Sequence, residues 1–164
     1  MDKALRLVYN KIVEQSKKNF FFNDINLPNS VDSRLELFQL NLIIILWYMR
    51  FSKINKNDIE SIISFFTKDL ESLLRESGEA ESRIGRKTRK LVENFFGRLY
   101  AYSEQFDKIE KNESNELKLK LKSNFNSTSI KISKIYEYVR LNIIYFSKLD
   151  SSFFFKLKFD FADN

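Results

Sequence analysis

The 164 residues contain no cysteine and no histidine, only three glycines and a single proline. Without thiolate or imidazole the chain cannot build a zinc site of the usual kinds, a Ser-His-Asp triad, a Cys-His dyad, a disulfide framework or a c-type haem attachment. A di-iron bundle site, which takes His together with Glu from facing helices, is excluded on the same ground. Regular tight turns need Gly and Pro, so their scarcity argues against sandwiches and barrels and for long helices. The most apolar run, Leu40 to Met49, is interrupted only by Asn41. It is about half the roughly twenty residues that a spanning helix requires, and reads as a buried core helix. Met1-Asp2-Lys3 leads into an amphipathic stretch, so no secretory leader is expected.

What is present favours a sizeable core. Hydrophobic residues make up 43% of the chain and aromatics 15%. The formal charge is +6 and the pI about 9.4. Such a surface attracts RNA, anionic lipid or an acidic partner, or simply keeps the chain soluble.

Apolar residues recur at helical spacing along most of the chain. Leu5, Val8, Ile12 and Val13 predict a first helix over 3–18. The stretch 19–31, with Phe20, Phe21, Phe22 and Pro28, reads as irregular. Three adjacent Phe residues cannot share one helix face, so some close over the core and others are free to form a contact patch. Ser30 or Asp32 caps a second helix reaching Phe51, apolar nearly all round from Leu40 and so central in a bundle. Asn57 followed by Glu60 resembles a capping box opening a third helix, which Gly78 ends. Ser82 offers a cap for a fourth helix reaching about Glu110. Its stripe is Leu91, Val92, Phe95, Leu99, Tyr102 and Phe106, and Gly85 and Gly97 inside it predict close approach of another helix. A short helix within 111–126 and a last long helix within 127–149 follow. The expected fold is all-α: one single-domain bundle of about five to six helices over 1–18, 32–110 and 127–149, with an extended C-terminal tail over 150–164 folding back on it.

Two charged sets stand out. Arg83, Arg86, Lys87, Arg89 and Lys90 crowd the start of the fourth helix, where positive charge opposes the helix dipole. They suit contact with an anion, RNA phosphate or a lipid head group, or else form a solvated face. No aromatic RNA-binding motif accompanies them. Asp69, Arg75, Glu76 and Arg98 form the second set, with Arg98 expected to pair with Asp69 or Glu76 across the helical hairpin. Gly85-Arg86-Lys87 lacks the preceding glycines of a phosphate loop, and no catalytic constellation is visible, so an enzyme is not expected.

The run Val31-Asp32-Ser33-Arg34-Leu35-Glu36-Leu37-Phe38 resembles a signature of the ubiquinol–cytochrome c chaperone family, in which a similar acidic, basic and aromatic stretch follows a Pro-containing loop. A longer match starts at Phe65-Phe66-Thr67-Lys68-Asp69-Leu70 and Leu74-Arg75-Glu76-Ser77-Gly78. It continues through Ile84-Gly85-Arg86-Lys87 to Phe95-Phe96-Gly97-Arg98 and Ala101-Tyr102. Asp32, Arg34, Gly97 and Tyr102 are the signature positions. Departures are Ser33 in place of a common Gly, Asn41 in place of a common His, and the loop Glu79-Ala80-Glu81-Ser82.

The resemblance implies an all-α assembly factor that binds newly made cytochrome b for the ubiquinol–cytochrome c reductase complex, with neither cofactor, metal nor small-molecule substrate. It extends the expected partners to a small co-chaperone, the ribosome and peripheral contact with a membrane. The expected location is the cytoplasm, at the inner face of the membrane, or the matrix side in a mitochondrion. The other reading of the same residues is a basic helical module that docks on ribosomal RNA or an anionic membrane surface. A client-binding groove should be apolar with basic edges. Phe20 to Phe22, Phe65 and Phe153 to Phe155 are its candidates, with Trp47 and Tyr48 assigned first to core packing.

Overall fold

The computed structural model describes residues 2–109, 111 and 113–163, and within them every regular element is a helix. In chain order these are α1 (Asp2–Ser16), α2 (Asn19–Asn23), α3 (Val31–Phe51), α4 (Lys56–Glu76), α5 (Glu81–Phe106), α6 (Asn115–Phe125), α7 (Ile132–Ser147) and α8 (Ser151–Phe154). The all-α expectation is met.

α3 is the axis of the bundle. Every residue from Gln39 to Met49 is buried, because α1, α4, α5, α6 and α7 all pack against it. A helix with no polar face loses nothing by being enclosed on every side. Each fully buried Leu, Ile or Phe contributes about 1.5–3 kcal/mol.

Its one fully enclosed polar side chain, Asn41, is satisfied from both ends. Its Nδ2 donates to Ser16 Oγ at 3.0 Å, and its Oδ1 accepts from the Tyr138 hydroxyl at 2.6 Å. Gln15 Nε2 donates to the same hydroxyl at 3.1 Å and to Asp163 at 2.6 Å. One polar chain thus ties α1, α3, α7 and the C-terminal tail. The tail folds back as expected, though it begins with the single turn α8. Phe159 and Phe161 pack on Phe146, and Asn142 bonds the backbone of Ala162 in both directions.

Several local expectations move. Residues 19–23 form the helical turn α2, not an irregular stretch. Phe21 is buried against Tyr138 while Phe20 and Phe22 are half-buried, so the triplet closes over the core. α4 is capped by Asn55, whose side chain accepts from the Asn57 amide, and not by Asn57. α5 starts one residue before Ser82 and has no side-chain cap, and α7 starts after Lys131 without one. Ser30 does cap α3, and Gly78 ends α4 at a φ of +87°. Gly85 and Gly97 are not packing devices: a methyl group at either would meet nothing within 4 Å. Both are exposed on α5.

Candidate functional site

α5 forms a ridge with a different depression on each side. On one side lies an apolar groove of about 480 Å3 between the end of α3, the start of α4 and the second half of α5. Leu46, Trp47, Ile59 and Leu99 form its floor. Phe96 and Tyr100 rise beside it, 46% and 74% exposed, and Phe51, 51% exposed, stacks on Trp47 with ring centroids 5.0 Å apart. One end is polar. Trp47 Nε1 donates to Asp107 at 2.8 Å, Arg50 pairs with the same carboxylate at 3.2 Å, and Ser103 and Glu104 stand alongside.

The groove follows from helix registration. Phe96 and Tyr100 lie one turn apart, outside the stripe Phe95, Tyr102, Phe106 that α5 buries. Two leftover aromatics at that spacing were the signal available in the sequence. Trp47 is buried, as expected of a core residue, yet it also floors the groove; Tyr48 is wholly in the core and donates to the carbonyl of Leu149 at 2.8 Å. Phe65 lies under the Arg6 guanidinium, 3.9 Å from its ring centre. In the tail Phe154 is buried, and Phe153 is 44% exposed but does not line this groove.

On the other side of α5 is a polar cleft of about 510 Å3 among α3, α5 and the end of α6. A second depression of about 380 Å3 adjoins it, sharing Asn94, Arg98 and Asn124. Its centre is an ion pair. Arg98 Nε and Nη2 donate to the two oxygens of Glu36 at 2.9 and 2.5 Å, with the side chains 23% and 14% exposed. Burial raises the Glu36 carboxyl above its ordinary range, and Arg98 opposes that rise.

This corrects the expected pairing. Arg98 engages neither Asp69 nor Glu76, but a carboxylate on α3, because its place on α5 faces α3 and not the α4 hairpin partner. Asp69 accepts the Tyr9 hydroxyl at 2.6 Å, and burial with that bond raises the Tyr9 phenol. Arg75 spans the α4–α5 loop to Glu81 and lowers that carboxyl. Glu76 is exposed and in no ion pair among the described residues.

Of the signature positions, Asp32 lines the cleft and Gly97 its extension. Tyr102 accepts from Asn124 Nδ2 at 2.8 Å beside it, its phenol pushed up to about 12 mainly by burial. Arg34 lies apart, bonded to Asn29 and over the Phe22 ring.

The cations at the start of α5 divide. Arg83 and Lys87 both pair with Glu79, whose carboxyl is lowered chiefly by the Lys87 bond. Arg86, Arg89 and Lys90 are exposed with no carboxylate partner among the described residues. They lie on α5 ahead of the groove, along the same helix as Phe96 and Tyr100. Among the described residues no group of acidic side chains could hold a metal ion.

The family model described as ubiquinol-cytochrome C chaperone matches residues 23–161. The crystal structure of the Cbp3 homolog from Brucella abortus superposes with a TM-score of 0.83, covering 98% of this chain and 90% of that one, at 20% identity. At that identity the likeness is one of fold. No curated protein matches the sequence.

Proposed function

We propose that this chain, which belongs to the ubiquinol–cytochrome c chaperone family, is a non-enzymatic assembly factor that holds cytochrome b while the ubiquinol–cytochrome c reductase complex is put together. The observation that carries the reading is the apolar groove beside α5. Phe51, Phe96 and Tyr100 present large aromatic surface to water around a floor of Leu46, Trp47, Ile59 and Leu99. Leaving that much apolar surface wet has no benefit to the isolated fold, whereas a second apolar helix laid into it would be dried on both sides. Cytochrome b, as a membrane protein, supplies such helices before they are assembled.

The polar end of the groove suits the same client. Apolar membrane helices carry Lys and Arg at their cytoplasmic flank, and the exposed Glu104 offers a carboxylate there. The protein therefore works where cytochrome b emerges, on the cytoplasmic or matrix face of the membrane. Among the described residues no helix is long and apolar enough to cross it. A co-chaperone and the ribosome belong to the same proposal as further partners.

Co-purification of cytochrome b with the wild-type chain and with a Phe96→Ser, Tyr100→Ser variant tests the reading. Retention by the wild type and loss by the folded variant, both unchanged in high salt, supports it. Equal recovery by both removes the groove from the account.

A second reading rests on Arg86, Arg89 and Lys90, the unpaired cations. They would hold an anionic surface, and binding through them would collapse as salt rises.

A further inference from the structure

The polar cleft on the far side of α5 is built differently from the groove and asks for a different ligand. Two side chains at its wall have no partner. Gln39 is 5% exposed and Ser33 is 6% exposed, both line the cavity, and neither the Gln39 amide nor the Ser33 hydroxyl makes a hydrogen bond to any described residue. Their polar atoms are not sealed inside the protein but open onto the cleft, where a ligand can reach them. Asn94 faces the same space with an unengaged amide, and Asn124 uses only its Nδ2, leaving its carbonyl oxygen free.

The charged groups at the centre do not call for an ion. Arg98 gives Nε and Nη2 to the two carboxylate oxygens of Glu36 and Nη1 to the Asn94 carbonyl. The rim carries both signs, with Asp32 and Glu93 against Lys120, which itself pairs with Glu116. What faces the open cleft is a set of neutral donors and acceptors.

We propose that this cleft binds an uncharged stretch of polypeptide in extended form, through the peptide groups of its backbone. An extended chain has free N–H and C=O groups on both sides, whereas a helix has used its own. Side-chain amides such as those of Gln39, Asn94 and Asn124 offer a donor and an acceptor together and so match a peptide group. Gly97 fits the same occupant. It lies in a helix interior, where Gly costs about 0.5–1 kcal/mol relative to Ala, yet a methyl group there would meet nothing within 4 Å. With Ala101 it keeps the floor of the adjoining depression low, so a passing backbone can lie close to α5. This site stands independently of the identity of the client in the apolar groove.

The test uses a capped peptide, acetyl-Ser-Ala-Asn-Ala-Ser-amide, and the same peptide with alternate backbone nitrogens methylated, titrated into the 15N-labelled full chain. The side-chain amide signals of Gln39, Asn94 and Asn124 should shift with the first peptide and stay still with the second. Gly97→Leu should weaken binding at least tenfold with a melting temperature no lower than wild type, and Gly97→Ala should do so by less. The proposal is overturned by unmoved amide signals, by equal binding of the methylated peptide, or by a folded Gly97→Leu that binds as the wild type does. Displacement of the peptide by inorganic phosphate at Arg98 would also overturn it, since the cleft would then be an anion site.

Discussion

Arg98 on α5 and Glu36 on α3, 62 residues apart, form a two-pronged ion pair at 2.9 and 2.5 Å. The pair stands in the polar cleft and joins two long helices. Glu36 has lost most of its hydration, so its ionised form depends on the guanidinium beside it.

Arg98→Met should therefore destabilise the fold by about 1–3 kcal/mol, the cost of stranding a largely buried charged group. The sign of the pH effect follows from the raised Glu36 carboxyl. The native state holds that proton more tightly than the unfolded chain, so its contribution is fully present below the ordinary carboxylate range and is lost as pH rises through the native value. Without Arg98 the rise is unopposed. Denaturant melts at pH 4 and pH 7 should show the larger deficit at pH 7, and adding Glu36→Gln should recover most of it. An equal deficit at both values would mean that packing, not charge, is what Arg98 provides.

Tyr138 is the hub of the buried polar chain. Tyr138→Phe leaves Asn41 Oδ1 without its donor and Gln15 with Asp163 alone. A loss of about 1–3 kcal/mol in chemical unfolding is expected. Burial raises the Tyr138 phenol well above its ordinary value. The unfolded chain then releases this proton first, so stability falls as pH climbs past the ordinary phenol range, and the variant should show less of that alkaline loss.

Two glycines should respond in opposite directions. Gly78→Ala forces a side chain onto a φ of +87° and should lower stability by about 1 kcal/mol or more. Gly85→Ala has nothing within 4 Å of the new methyl and should raise it by about 0.5–1 kcal/mol. Thermal melts of the two single variants read this directly.

The run Leu40 to Met49 revealed the central helix, because a segment apolar on all sides admits few other places. Gly78 marked the end of α4 because a left-handed residue is required there. The caps moved by one or two residues, since Asn55 and Asn57 both qualify and only the chain's path chooses. The partner of Arg98 was not legible. Its choice of Glu36 over Asp69 depends on how α5 is rotated against α3, which spacing within one helix does not encode. The groove was half legible: Phe96 and Tyr100 fall off the buried stripe, but that Trp47 and Ile59 meet beneath them is a property of packing. The cleft left even less trace, because Gln39 and Ser33 look like ordinary helix residues until no partner is found for them.

The central claim is that the aromatic groove beside α5 grips cytochrome b. A photo-activatable phenylalanine analogue placed at Tyr100 and, separately, at exposed Leu119 on α6 reads it most directly, in cells making cytochrome b. The account predicts a cytochrome b adduct from position 100 and none from position 119. Cytochrome b adducts from 119, or from a probe at Arg89, with none from 100 would contradict it.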